Sequence, residues 1–124
     1  GISIDRVKPV IEFRSIYLDI DTAIPCGLII NELISNCLKY AYPDLRKGEI
    51  FIDLNELNEN DYLLLIKDDG IGIPESIDFG NTNSLGLKLV KILSEQLGGT
   101  VELIRNNGSE FRISFKRSNY LRKE

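Results

Sequence analysis

The chain has 124 residues, 43% hydrophobic and 27% charged, a size and balance that give one globular domain able to bury its own core and exclude a disordered or low-complexity chain. A formal net charge of −4 excludes nucleic acid as the main partner, because phosphate backbones select clustered Lys and Arg. The complete absence of histidine removes every His-based triad, His general base and His phosphoacceptor from these residues.

Along the chain, Val7 to Phe13 and Ser15 to Ile20 are short runs rich in β-branched and aromatic residues and read as two strands, which Asp19-Ile20-Asp21-Thr22 then breaks. Pro25 is placed near a helix start, and apolar residues at Ile29, Ile30, Leu33, Ile34, Cys37, Leu38 and Ala41 predict a long amphipathic helix ending at Tyr42-Pro43. Pro43 to Gly48 is a turn-rich connection, after which Ile50, Ile52 and Leu54 alternate with Phe51 and Asp53 as in a strand. Asn58 to Asp61 reads as a hairpin loop. Tyr62 to Lys67 is a nearly continuous apolar run, expected to be a central strand covered on both sides and delivering Asp68 and Asp69 at its end.

Pro74 to Asn83 carries Pro, Gly, Asn and Ser without periodicity and is expected to be a ligand-gating lid. Leu85 to Leu97 predicts a second helix, stopped by Gly98-Gly99. Thr100 to Ile104 and Phe111 to Phe115 predict a hairpin across Asn106-Asn107-Gly108, followed by a polar tail. The domain is therefore expected over residues 1–117, with 118–124 as tail. Gly1-Ile2-Ser3-Ile4 lacks the features of a signal peptide and no apolar run is long enough to span a membrane, so a cytoplasmic setting is expected. Cys26 and Cys37 have neither CxxC spacing nor histidine to complete a zinc set, and are expected to be buried reduced thiols.

Three segments carry chemistry. At about 100° per residue, Glu32, Asn36, Lys39 and Tyr40 fall on one arc of the first helix, expected opposite its apolar stripe. An amide oxygen one turn from a carboxylate suits a hard cation such as Mg²⁺ that keeps most of its waters and bridges to phosphates; the plain alternative is a solvated helix face. Asp68 ends a buried strand, where an unpaired carboxylate is costly and needs a donor. The exocyclic amine of adenine is one, whereas guanine presents an acceptor there, so Asp68 would select ATP over GTP. Gly70 and Gly72 let the backbone turn sharply beside a base, though an Asp-Gly turn alone has the same look. Ser84-Leu85-Gly86-Leu87 opens a helix whose free N–H groups and positive dipole end can hold phosphate oxygens. Ser84 also reads as an ordinary N-cap and Gly86 as a packing glycine. Neither a GxxxxGK[ST] nor a GxGxxG sequence occurs.

Taken together, these segments resemble the Bergerat-type ATP-binding domain shared by gyrase, the Hsp90 chaperone, sensor histidine kinases and the MutL repair protein. Asn31-Glu32-Leu33 through Asn36 to Lys39-Tyr40-Ala41-Tyr42-Pro43 is similar to the N box of one sensor-kinase subgroup, with Cys37 in place of Ala and Tyr42 in place of Phe. Asp68 to Pro74 resembles the first glycine box, Ser84 to Val90 the second, with Ser84 in place of its first glycine, and Gly108-Ser109-Glu110-Phe111 the closing Gly-Thr-x-Phe element.

The resemblance implies an α/β two-layer sandwich, with a mixed, mostly antiparallel sheet covered on one face by helices, of which the family usually has three. The third would lie before Gly1, leaving apolar sheet surface exposed. By analogy Asn36 would ligate Mg²⁺, Asp68 would bind the adenine amine, Tyr40 would contact the base, and Gly70, Gly72 and Ile73 would be among the nucleotide-binding residues. Lys39 would approach phosphate, Leu85, Gly86 and Leu87 would line the phosphates with backbone N–H groups, and Ser109 would support Asp68 and the adenine through water. Glu32 is the candidate base; Lys88 reads equally as a phosphate contact or an exposed lysine. The activity implied is that of a histidine kinase catalytic domain using ATP and Mg²⁺. Its phosphoacceptor would sit on a histidine-bearing dimerisation domain of the same or another chain, with a response regulator as indirect partner and a homodimeric parent. The alternatives on this fold are an anti-sigma-factor type serine kinase, a gyrase- or MutL-like hydrolase, and a docking module without transfer activity.

Overall fold

The computed structural model describes residues 6–13, 16–44, 46–78 and 84–117. In chain order the elements are β1 (Val7–Phe13), α1 (Ile20–Tyr40), β2 (Gly48–Glu56), β3 (Asp61–Asp68), α2 (Leu85–Gln96), β4 (Thr100–Arg105) and β5 (Ser109–Lys116). The strands form one sheet in the order β1-β2-β3-β5-β4. β1 runs parallel to β2, and every other neighbouring pair is antiparallel. α1 packs on β3 and α2 on β4 and β5, side by side on one face, which is the mixed α/β sandwich expected.

The layer between helices and sheet is the core. Register places Leu64 opposite Leu54 and Ile113, and Ile66 opposite Ile52 and Phe111, so their side chains form one apolar surface beneath Ile29 and Leu33 of α1 and Val90 of α2. All of these are almost fully covered. Burying each such side chain contributes about 1.5–3 kcal/mol, which is what fixes the strand register. Cys26 and Cys37 are buried free thiols.

α1 begins earlier than the sequence predicts. Ser15 lies outside the described residues, residues 16–19 have no regular structure, and Ile20 opens the helix, so the expected strand over Ser15 to Ile20 is not formed. Asp19 is extended (φ −72°, ψ 164°), and its carbonyl accepts the N–H groups of Ala23 at 2.8 Å and Thr22 at 3.1 Å. Asp21 in the first turn suits the positive end of the helix dipole. Pro25 therefore sits inside the helix rather than at its start. It removes the N–H that would bond the Asp21 carbonyl, a loss tolerated one turn from the helix end, where Asp21 is exposed.

β3 is central, as expected, yet only one of its faces is closed: Tyr62, Leu64, Ile66 and Asp68 are buried, whereas Leu63 and Leu65 are half-covered and Lys67 is exposed. Two helices cover the sheet among the described residues. Ile11, which pairs with buried Ile52, remains 58% exposed. The outer side of α1 carries Ile20, Ile24 and Leu28, all exposed.

α2 is capped at both ends. The Ser84 hydroxyl accepts the Leu87 N–H at 3.4 Å. At the other end Gly98 has φ +70°, its N–H bonds the Glu95 carbonyl at 2.9 Å, and the Gly99 N–H bonds the Ser94 carbonyl at 3.0 Å, the Schellman closure that the Gly98-Gly99 pair signals. The β4–β5 turn uses Asn107 (φ 54°) and Gly108 (φ 120°), again where the sequence places it.

Candidate functional site

The polar arc of α1 lies beside the core, not opposite it. Asn36 is buried at 8% exposure, Glu32 and Tyr40 are half-covered, and Lys39 is exposed with its Nζ 5.1 Å from the Tyr40 ring centre. The cause is the crossing of α2 against this flank. A Cβ on Gly86 would overlap Glu32 Oε2 and lie 3.9 Å from Asn36 Nδ2, so glycine at 86 lets the start of α2 approach with the Glu32 carboxylate in its present place. Asn36 Nδ2 donates to the Glu32 carbonyl at 2.8 Å, which fixes the amide orientation and leaves Oδ1 as its outward acceptor. One amide oxygen and the neighbouring carboxylate fit a hydrated hard cation, and the adjacent helix N-terminus fits the phosphate oxygens that such a cation would share. The Leu87 N–H points to the Ser84 hydroxyl; the Leu85 and Gly86 N–H groups have no acceptor among the described residues.

Asp68 ends β3 with its side chain wholly covered. Oδ1 accepts the Gly70 N–H at 3.0 Å and Oδ2 accepts the Ser109 N–H at 3.0 Å, with the Cys37 thiol 3.9 Å from Oδ2. Burial raises the Asp68 pKa; the backbone donors Ser109, Gly70 and Gly72 oppose that rise and Asp69 adds to it. A carboxylate has about four lone-pair sites, so a further donor such as a base amine can still be accepted. Because the side chain is fully covered, that donor reaches it only as neighbouring atoms part.

The turn after Asp68 is held from two sides. A Cβ on Gly70 would overlap the Ala41 carbonyl oxygen, which itself accepts the Ile71 N–H at 2.8 Å. Tyr42 Oη donates towards the Glu49 carbonyl at 2.6 Å and lies 2.9 Å from Asp69 Oδ1, binding the end of α1 to the turn. Burial, then the Asp69 hydrogen bond, raises the Tyr42 pKa. Gly72 takes φ +82° and packs against Gly108 and Ser109. The Ser109 hydroxyl accepts the Ile73 N–H at 2.6 Å, so Ser109 holds Asp68 and Ile73 by direct bonds. Ile73 is buried at 3% exposure.

The structure thus brings Glu32, Asn36 and Gly86 together, and Asp68 together with Gly70, Gly72, Ile73 and Ser109. Cys37, one residue after Asn36, joins the two groups. Lys39 and Leu85 stand at the exposed rim. The expected lid is described as far as Asp78; residues 79–83 lie outside the described residues. Sequence reasoning missed Arg105, whose guanidinium donates to the carbonyls of Ile73 at 3.2 Å, Pro74 at 3.3 Å and Ile77 at 2.6 Å. Nothing in the local pattern marks an arginine at a strand end for this role. A cleft of about 550 Å³ flanks the same turn, lined by Arg46, Asp69, Gly70, Ile73, Glu75 and Arg105; Glu32, Asn36, Asp68 and Gly86 take no part in it.

Residues 22–119 match the family model of the histidine kinase-, DNA gyrase B- and HSP90-like ATPases. The chain is 27% identical over 99 residues to blue-light-activated histidine kinase 2 of Erythrobacter litoralis, covering 80% of this chain and 29% of that protein. It is 31% identical over 86 residues to the sensor histidine kinase PdtaS of Mycobacterium tuberculosis, covering 68% of this chain and 17% of that protein. The histidine kinase domain of the Erythrobacter litoralis EL346 blue-light activated kinase superposes with a TM-score of 0.81 at 26% identity, over 89% of this chain and 51% of that one. The chain therefore spans less than a third of the curated relatives it matches.

Proposed function

The chain belongs to the histidine kinase-, DNA gyrase B- and HSP90-like ATPase family, and from that membership we propose that it is the catalytic, ATP-binding domain of a two-component sensor histidine kinase. The observation that carries the reading is the contact of Gly86, at the start of α2, with Glu32 and Asn36 of α1, beside a buried Asp68 held by backbone donors. Asp68 accepts the adenine amine, with Ile73 and Tyr40 as apolar walls of the base pocket. Asn36 Oδ1 is the protein ligand for Mg²⁺, which when bound neutralises charge on the phosphate oxygens. Lys39 and the N–H groups of Leu85 and Gly86 approach the same oxygens, and Glu32 orients or deprotonates the acceptor.

Phosphoryl transfer asks for in-line positioning and charge neutralisation more than covalent help, and this set supplies both. None of the 124 residues is a histidine, so the γ-phosphoryl group passes to a histidine on a dimerisation domain elsewhere in the same or another chain, and from there to a response regulator. The domain is assigned to residues 1–117 and to the cytoplasmic side, within a homodimeric parent; among the described residues no helix is long and apolar enough to cross a membrane.

Calorimetric titration of ATP and GTP, with and without Mg²⁺, tests the reading. ATP-selective, Mg²⁺-strengthened binding that is lost in Asp68→Asn is expected. Equal affinity for ATP and GTP removes Asp68 from base recognition, and no binding of either nucleotide overturns the assignment.

A further inference from the structure

The residue this reading leaves unused is Arg105, the last residue of β4. It stands opposite Ser109 across the β4–β5 ladder. The two side chains hold the two peptide units that flank Ile73: the Ser109 hydroxyl accepts the Ile73 N–H at 2.6 Å, and Arg105 Nε donates to the Ile73 carbonyl at 3.2 Å. Arg105 Nη2 continues along the same stretch to the carbonyls of Pro74 at 3.3 Å and Ile77 at 2.6 Å.

Residues 73–78 have no strand or helix of their own. The stretch also closes a turn of its own, from the Ile77 N–H to the Pro74 carbonyl at 2.9 Å. A planar guanidinium with several fixed donors can hold three carbonyls at once, which an ammonium, a point donor on a flexible stem, does not reproduce. Ser109 also donates its backbone N–H to Asp68 Oδ2. The Arg105–Ser109 rung therefore fixes the Ile73 peptide and the Asp68 carboxylate relative to each other.

We propose that Arg105 is a positioning residue for base recognition: by clamping the Ile73–Ile77 backbone onto the β4–β5 hairpin, it holds the apolar wall at Ile73 in register with the Asp68 acceptor. This rests on the nucleotide-binding reading above and deepens it. Arg105 touches no base. It acts through Ile73, so its loss blurs the discrimination between bases rather than merely lowering the amount of folded protein.

The test compares Arg105→Ala and Arg105→Lys with the wild type in calorimetric titrations of ATP and GTP at 25 °C, alongside amide hydrogen exchange. For Arg105→Ala, ATP affinity falls about tenfold, the size expected for losing charge-assisted bonds that hold a site. The ratio of ATP to GTP affinity shrinks, and exchange accelerates at Ile73 and Ile77 while β3 and β5 keep their protection. Arg105→Lys restores neither. Unchanged ATP affinity and selectivity in Arg105→Ala overturn the proposal, as does an equal loss for both nucleotides accompanied by lost protection throughout β4 and β5, the mark of a purely structural residue. A wild type that binds neither nucleotide removes the site itself. That result is separate from a wild type that binds and an alanine variant that binds equally well.

Discussion

Two glycine-to-alanine changes should separate fold from function. Gly86 sits in the first turn of α2, where alanine improves helix propensity by about 0.5–1 kcal/mol. The added methyl meets only the carboxylate end of Glu32, which can swing away at a rotamer cost of about 0.5–1.5 kcal/mol. The two terms nearly cancel, so Gly86→Ala should melt within a few degrees of the wild type. Its ATP affinity should nevertheless fall at least about tenfold, about 1.4 kcal/mol, because the Glu32 carboxylate is displaced from its place beside the α2 terminus. Gly70→Ala meets a rigid partner. Its methyl overlaps the Ala41 backbone oxygen, which also accepts the Ile71 N–H, so the end of α1 and the turn must both shift. Overpacking of that kind plus a strained hydrogen bond costs about 2–3 kcal/mol, or on the order of 10 °C in Tm. Thermal melts and calorimetry on the three proteins decide the matter. Gly86→Ala with wild-type ATP affinity, or one destabilised as much as Gly70→Ala, would refute the reasoning.

Asp68→Asn should abolish ATP selectivity without unfolding the domain. Burial raises the folded pKa of Asp68, so its contribution to stability is present below the unfolded value and is lost as pH rises through the folded one. Asparagine resembles the protonated acid in having one acceptor and one donor. Chemical denaturation between pH 4 and pH 7 should therefore find the wild type losing stability relative to the variant as pH rises, since residue 68 titrates only in the wild type; a difference that stays constant or moves the other way contradicts this. Both thiols should resist alkylation in the folded state, since burial pushes Cys26 up to about 12 and, with Asp68 nearby, raises Cys37 as well. Iodoacetamide labelling that outpaces global unfolding would be inconsistent with their burial.

What was legible in the sequence was whatever a local period or a short motif carries. Alternation marked β2, the 3.6-residue spacing marked most of α1 and α2, and glycine pairs marked the ends of α2 and of the β4–β5 hairpin. The start of α1 was misplaced because the β-branched and aromatic run before Asp19 imitates a strand and Pro25 imitates a first helical residue; the cap that decides it is a backbone bond from Ala23 to Asp19, which no side chain announces. The half-open outer face of β3 was illegible for a different reason: an apolar run reports hydrophobicity but not what lies against it, and here the second face meets no helix among the described residues. The site shows the same division. Asn36, Asp68 and Gly86 are visible as residue types in motifs, yet their chemistry depends on contacts between positions far apart in sequence: Ser109 to Asp68, Gly86 to Glu32, and Arg105 to Ile73. Those contacts arise because β5 inserts beside β3 and carries the β4–β5 hairpin up to the glycine turn. A positioning residue such as Arg105 is defined by that topology alone, and so the residues that aim the site are harder to read from sequence than the residues that compose it.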